Sequence, residues 1–167
     1  MSQIGTEVRQ INVGVAPPSF LSLLKTHQRL DELFLSHQEA LLMLDVGLAL
    51  ERLLEFEREL LVHMRYEEDW LLPVYERAGR IPGGQVEFFT GEHKKMLLFL
   101  TRFKEALRQL ETNPPDLMRQ IIKLFDDQAL FKHLVEHHDL REQNILYPTL
   151  DQVTDEDERR ELLSRVE

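Results

Sequence analysis

The sequence predicts an all-α protein, an up-down-up-down four-helix bundle with a short C-terminal helix. Three observations predict this fold. The helix-favouring residues Leu, Glu, Arg and Lys are abundant, and apolar residues recur at helical spacing in four long segments. Short breaks, most of them rich in Gly or Pro, separate those segments. Hydrophobic residues make up 43% and charged residues 30% of the 167 residues, a balance typical of one compact domain.

We divide the chain into an N-terminal arm at residues 1–17, the bundle at residues 18–150, and a charged tail helix at residues 151–167. The arm is irregular and is closed by Pro17-Pro18. Its apolar residues, at positions 11, 13 and 15, are predicted either to cover the bundle or to meet another subunit.

The first two helices are predicted from their apolar stripes and from the breaks between them. The first begins near residue 19 and runs to about residue 45, where Val46-Gly47 marks a stop. The second runs from about residue 49 to residue 72, or a little beyond Pro73. The Gly- and Pro-rich residues 78–86 then form a loop.

The third helix starts between residues 88 and 91 and continues to residue 110. Asn113-Pro114-Pro115-Asp116 breaks the chain, and Pro115 or Asp116 opens the fourth helix. We expect that helix to stop before Pro148, because proline disfavours helix in the residue before it. Thr154 with Asp157 resembles a capping box for the tail helix.

Charge and composition exclude several classes of function. The net charge of -10 argues against nucleic acid and against anionic membranes as partners. The absence of cysteine excludes disulfides, thiolate zinc sites and iron–sulfur clusters. The first residues lack an apolar signal core, and no run reaches membrane-spanning length, so a cytoplasmic location is expected.

Two helices carry a histidine and a glutamate four residues apart on their inward face. A heptad drawn on the second helix places Ala49, Phe56, His63 and Trp70 at one core position, and Leu53, Leu60, Glu67 and Val74 at the other. The same heptad on the fourth helix gives Leu117, Leu124, Phe131, His138 and Ile145, with Ile121, Gln128, Val135, Glu142 and Thr149.

These inward carboxylates predict a metal site. An ionised carboxylate in a core costs several kcal/mol unless something compensates it, and a metal ion is the natural compensation. The two motifs also share their flanks, because a proline follows each histidine after ten residues, at Pro73 and Pro148. This repetition indicates an internal duplication. The first and third helices add one core-facing histidine each, His27 and His93.

The order His27, His63-x-x-x-Glu67, His93, His138-x-x-x-Glu142 resembles the hemerythrin/HHE cation-binding family over roughly residues 18–150. The resemblance implies two iron ions inside the bundle, joined by two carboxylates and a bridging oxo or hydroxo group. Glu67 and Glu142 would be the bridges, and the four histidines would be terminal ligands, two on each iron. Zinc or manganese also suits imidazole and carboxylate ligands.

Respiratory hemerythrins carry a fifth histidine four residues after the third-helix histidine, where this sequence has Leu97. Each iron should therefore keep a position free for solvent or a small ligand. We expect a protein that binds or senses oxygen, nitric oxide or peroxide. A redox enzyme or an iron donor for nitrosative or oxidative damage repair is an alternative, and so is a metal-free or zinc-bound helical interaction module.

The remaining histidines are given other roles. His133 and His137 are predicted to form a surface pair, although a shift in register would let His137 replace His138 as the residue paired with Glu142. His37 lies at the edge of the first apolar stripe and is predicted to be a helix contact.

Three further residues flank the expected site. Trp70 is predicted to face inward, as core packing or as a wall beside the metals. Tyr66 is predicted to be a packed tyrosine, with a hydrogen bond to a metal-bound ligand as the alternative. Asp31, four residues after His27, is predicted to support that histidine.

Overall fold

A computed structural model describes residues 16–166, and within this range the regular structure is helical throughout. The segments are α1 (Leu24–Leu42), α2 (Val46–Tyr66), α3 (Leu72–Tyr75), α4 (Val86–Leu110), α5 (Leu117–Arg141), α6 (Tyr147–Val153) and α7 (Glu156–Leu163). The long helices α1, α2, α4 and α5 form the up-down-up-down bundle, so the predicted all-α fold is confirmed. The apolar part of the predicted arm lies outside the described residues.

The break between α1 and α2 falls earlier than predicted. The first helix ends at Leu42, and Leu44 adopts a left-handed conformation with φ of 58°. The Asp45 side chain then caps α2 by accepting a hydrogen bond from the Leu48 N–H at 3.0 Å. Val46-Gly47, predicted as a stop, is therefore the first turn of a helix, because an aspartate N-cap satisfies the free N–H groups there.

A wide π-helical turn follows α2 and another follows α5, at Glu67–Leu71 and Glu142–Leu146. In each turn the glutamate carbonyl accepts a hydrogen bond from the residue five positions later, Leu72 or Tyr147. The helix then continues past a proline at its first turn. The prediction that the fourth helix stops before Pro148 is therefore wrong, because the widened turn accommodates a residue that lacks an N–H.

Each π turn shifts the inward face by one residue. Trp70 is 42% exposed while Leu71 is fully buried, and Leu146 is buried where Ile145 was expected. The prediction that Trp70 faces the core is therefore wrong, since a heptad cannot anticipate the inserted residue. Its ring packs instead against the guanidinium of Arg165, 4.0 Å from the ring centroid.

The tail helix α7 packs on the end of the bundle. Its N-cap is Asp155 rather than Thr154, and the Asp155 carboxylate accepts a hydrogen bond from the Glu158 N–H at 2.9 Å. The Tyr66 hydroxyl donates to the Leu162 carbonyl at 3.1 Å, so Tyr66 is a packed tyrosine, as predicted.

Two apolar clusters fill the interior. One extends along the four long helices, and the other closes the end of the bundle that carries α3, α6 and α7. At the opposite end His37 joins three helices, because its Nδ1 donates to the Ala49 carbonyl at 2.7 Å and its Nε2 accepts from Gln128 at 2.8 Å. Its predicted role as a helix contact is confirmed. Of the helices described, none is long and apolar enough to cross a membrane.

Candidate metal centre

The six side chains proposed from the sequence as metal ligands converge at one level of the bundle. His27 and His93 lie near the beginnings of α1 and α4, and His63 and His138 lie near the ends of α2 and α5. Antiparallel packing brings those positions together. Every one of the six side chains is buried, with at most 6% of its surface exposed: His27, His63, Glu67, His93, His138 and Glu142.

The six residues form two groups of four that share both glutamates. His27 and His63 make one group with the two carboxylates, and His93 and His138 make the other. Within each group the candidate ligand atoms lie within 4.8 Å of one another. The two Nε2 atoms of each histidine pair are 3.1 Å apart. This arrangement can hold two cations side by side.

Each glutamate reaches one histidine of each group with a different oxygen. Glu142 places Oε2 3.0 Å from His27 Nε2 and Oε1 2.7 Å from His138 Nε2. Glu67 places Oε1 3.5 Å from His63 Nε2 and Oε2 3.4 Å from His93 Nε2. A carboxylate that presents one oxygen to each of two cation positions is placed to bridge them.

The polar atoms at the centre lack sufficient protein partners. Glu67 Oε2 and Glu142 Oε1 are buried and have no partner in hydrogen-bonding geometry among the described residues, although histidine nitrogens lie close to both. Such groups cost about 1–3 kcal/mol each when nothing satisfies them. Facing imidazole nitrogens and unsatisfied carboxylate oxygens are the donors that divalent transition metals prefer. The residues therefore fit a metal centre.

Glu142 dominates the electrostatics of the centre. Burial opposes the charged form of His138, but the negative charge of Glu142, whose Oε1 lies 2.7 Å from His138 Nε2, outweighs it and holds the pKa of His138 well above its usual value. Burial likewise opposes ionisation of Glu142, and the neighbouring histidines, His138 foremost, hold its pKa well below the ordinary range. Burial lowers the pKa of His63, which favours the neutral imidazole that binds metals.

Tyr147 was not identified from the sequence as a site residue, yet its hydroxyl lies at the middle of the centre. The oxygen is 2.8 Å from Glu67 Oε1, 3.1 Å from Glu142 Oε2 and 3.1 Å from His27 Nε2. Burial and the two glutamate charges hold the pKa of Tyr147 well above its usual value. The phenol therefore stays protonated and donates its hydrogen to one of the carboxylates.

Two more glutamates, also missed, hold histidines from behind. Glu68 Oε1 lies 2.8 Å from His93 Nδ1, and Glu92 Oε2 lies 3.0 Å from His138 Nδ1. Arg141 contacts Glu92 Oε1 at 3.1 Å and fixes its orientation. Both imidazoles therefore direct Nε2 towards the centre, as histidine ligands supported by carboxylates do in metal proteins.

His27 has a different neighbour from the one predicted. Asp139 Oδ1 lies 3.7 Å from its Nδ1, whereas Asp31 is an exposed residue at the rim of the adjacent cavity. Burial raises the pKa of Asp139 to about 7, with Glu142 adding to the rise. The spacing within the first helix predicted that Asp31 supports His27. The acidic residue nearest to His27 Nδ1 is instead Asp139, which lies on another helix.

The alternative histidine falls outside the centre. The His137 side chain is 67% exposed and lies 3.6 Å from Glu92, while His138 occupies the cluster. The His133 side chain is 79% exposed. The predicted surface placement of His133 and His137 is confirmed.

A cavity of about 520 Å³ extends from the histidines into the bundle. One end is lined by all four site histidines, the body by apolar residues such as Phe34, Phe56 and Phe131, and the rim by residues of α1 and α5. The cavity therefore joins the centre to the surface between these two helices.

Comparison with protein-family models identifies the family of this chain. Residues 22–150 match the family model of the hemerythrin HHE cation binding domain, a span that contains all six converging side chains. Searches of curated proteins and of solved structures found no significant match to this chain.

Proposed function

The chain belongs to the hemerythrin HHE cation-binding domain family, and from this membership we propose that it binds two iron ions and presents them to a small ligand such as oxygen, nitric oxide or peroxide. His27 and His63 would hold one ion and His93 and His138 the other, with Glu67 and Glu142 shared. The observation that carries the proposal is the pair of four-residue groups with both carboxylates in common.

Four protein ligands per iron leave a position for a small ligand, since iron with imidazole and carboxylate ligands commonly takes five or six donors. Bound iron would supply reversible one-electron redox chemistry at that position. The protein's own residues would orient the site: Glu68 and Glu92 fix two imidazoles, and Tyr147 provides a hydrogen-bond donor. Apolar clusters lie on either side of the centre, and the cavity between α1 and α5 gives a small ligand access to the histidines.

Metal analysis with absorption spectroscopy tests this proposal. Protein purified without an affinity tag and without added metal should contain two iron ions per chain and develop an oxo-to-iron charge-transfer band in air. Glu67→Ala and Glu142→Ala should each lose most of the metal, whereas His133→Ala, at the exposed histidine, should retain it. Zinc in place of iron, or full metal content in both glutamate variants, would contradict the proposal.

Turnover separates binding from catalysis. A ligand-binding or sensing protein should bind nitric oxide or peroxide stoichiometrically and return to its starting spectrum without consuming a reductant. Sustained consumption of peroxide or nitric oxide with a reductant would instead identify a redox enzyme. The buried phenol of Tyr147 beside both glutamates is the feature that favours this second outcome, since it places a fixed hydrogen-bond donor at the centre.

A further inference from the structure

The cavity beside the centre is much larger than a diatomic molecule or peroxide requires. Its volume is about 520 Å³, whereas a water molecule occupies about 30 Å³ in the liquid and an apolar cavity of about 150 Å³ already holds benzene. Pockets of about 300–1,000 Å³ are typical of sites for small organic molecules. The available space therefore indicates an organic ligand.

The walls of the cavity favour an aromatic ligand. Phe34, Phe56 and Phe131 pack edge-on or tilted, with ring centroids 5.1–6.0 Å apart, and Met64 and Met96 add two polarisable thioethers. Rings and sulfur atoms of this kind contact another ring favourably. Polar groups meet the inner end at the four site histidines, so a ligand with one polar end has a defined orientation.

The mouth of the cavity selects against negative charge. Asp31 and Glu136 lie at the rim with Lys132 as the cation beside them, and the whole chain has a net charge of -10. An anion approaching between α1 and α5 meets a negative surface, which lowers its local concentration. Leu35 and Leu140 line the cavity, are 46% and 49% exposed, and extend the apolar surface outwards.

We propose that this cavity binds a neutral aromatic molecule carrying one hydroxyl group, a ligand of the phenol class. The ring packs against the wall that the three phenylalanines form, and the hydroxyl faces the histidines. This inference deepens the proposed function by adding an organic ligand at the same centre, and it rests on that function only for the role of the hydroxyl end.

Calorimetric titration of the metal-loaded full chain with 1-naphthol tests the proposal, with 1-naphthoate as the anionic counterpart of the same ring system. Naphthol should bind at one saturable site, and naphthoate at least about tenfold more weakly, a difference of about 1.4 kcal/mol. Val135→Trp fills the mouth from a residue that lines the cavity, and it should weaken naphthol binding by at least about tenfold.

Ile122→Trp is the matched control, since this residue lies on the same helix, is 62% exposed and is remote from the cavity lining. Its affinity for naphthol should equal that of the unsubstituted chain. Circular dichroism and metal content, measured on the same samples, separate the two proposals. If the chain takes up no iron and naphthol still binds at a site that Val135→Trp blocks, the cavity site is supported and the iron centre is contradicted.

Three results would overturn the inference. One is an absence of saturable naphthol binding in protein that contains two iron ions. Another is equal naphthol affinity in Val135→Trp and Ile122→Trp. The third is binding of naphthoate as tight as that of naphthol, which would remove the selection for a neutral ligand.

Discussion

Glu92 lies behind the centre and contacts the facing helix α5. Its Oε2 lies 3.0 Å from His138 Nδ1 and its Oε1 lies 3.1 Å from Arg141. Burial opposes ionisation of Glu92, but His138 and Arg141 outweigh it and lower the pKa of the carboxyl, so the group remains charged at neutral pH. It thereby fixes the imidazole with Nε2 directed inwards.

We expect Glu92→Gln to weaken metal binding by about tenfold, because a carboxylate behind a histidine ligand typically contributes about 10- to 100-fold to metal affinity. Competition with a chelator of known affinity measures the change. Glu87→Gln, at an exposed residue of the same helix, is the control. Equal affinities in the two variants would show that Glu92 does not position His138.

At this scale the sequence identifies the residues that converge but not the residues that support them. Spacing alone predicted His63 with Glu67 and His138 with Glu142, because core positions within one helix follow from its periodicity. Glu92 and Tyr147 act across helices, so their contacts depend on how far each helix is rotated and shifted against its neighbours. The repeated proline flank was the one sequence signal near Tyr147, and it was interpreted only as a duplication.

The two π turns are the main feature at the scale of elements. Each begins at a glutamate of the centre, Glu67 or Glu142, and each precedes a proline, Pro73 or Pro148. The ring of a proline clashes with the carbonyl four residues before it in an α-helix, and a widened turn removes that clash. The prediction of a helix stop at Pro148 was wrong because the widened turn before it lets the helix continue through the proline.

The shift in register predicts which residue of the second helix supports the core. Leu71→Ala should lower the free energy of unfolding by about 2–5 kcal/mol, because Leu71 is fully buried in the end cluster. Trp70→Ala should lower the free energy of unfolding by about 1 kcal/mol or less, since Trp70 is 42% exposed and its ring stacks against the guanidinium of Arg165. Denaturant unfolding of both variants measures these changes. A larger loss of unfolding free energy in Trp70→Ala than in Leu71→Ala would show that the inward face follows the uninterrupted heptad after all.

His37 links α1, α2 and α5 at the other end of the bundle, and burial lowers its pKa from the usual 6.5. The folded chain therefore holds this site neutral in a pH range where the unfolded chain protonates it. Its contribution to stability is complete above about pH 6.5 and is lost as the pH falls towards the folded pKa.

His37→Gln should therefore reduce the dependence of stability on pH. The amide keeps a hydrogen-bonding group near Gln128 but takes up no proton, so the slope of unfolding free energy between pH 7 and pH 5 should fall by up to about 1.4 kcal/mol per pH unit. Denaturant unfolding at several pH values measures the slope. An unchanged slope would show that this histidine titrates alike in the folded and unfolded chains.

For the whole molecule, the antiparallel order of the helices explains why one end carries the centre. Two helix beginnings and two helix ends meet at the same level, and apolar clusters lie on either side of them. The fold class followed from the sequence because helical periodicity and short breaks leave few other arrangements. The cavity between α1 and α5 could not be predicted from the sequence, since its size depends on how closely those two helices pack.

Metal removal should destabilise the whole chain, because ions that bind only the folded state stabilise it by mass action. Dialysis against a chelator should lower the midpoint of thermal unfolding. The midpoint should return to its original value when iron is added back under reducing conditions. We expect the same treatment to leave a Glu67→Ala, Glu142→Ala double variant unchanged. An equal fall of the unfolding midpoint in that variant would show that the chelator itself, and not the loss of metal, destabilises the chain.

Anomalous diffraction at the iron absorption edge, on crystals of the metal-loaded chain, tests the central claim most directly. We predict two anomalous peaks, one among His27, His63 and the two glutamates, and the other among His93, His138 and the same two glutamates. A single peak, or peaks beside the exposed His133 and His137, would contradict a paired-cation centre held by the six buried side chains.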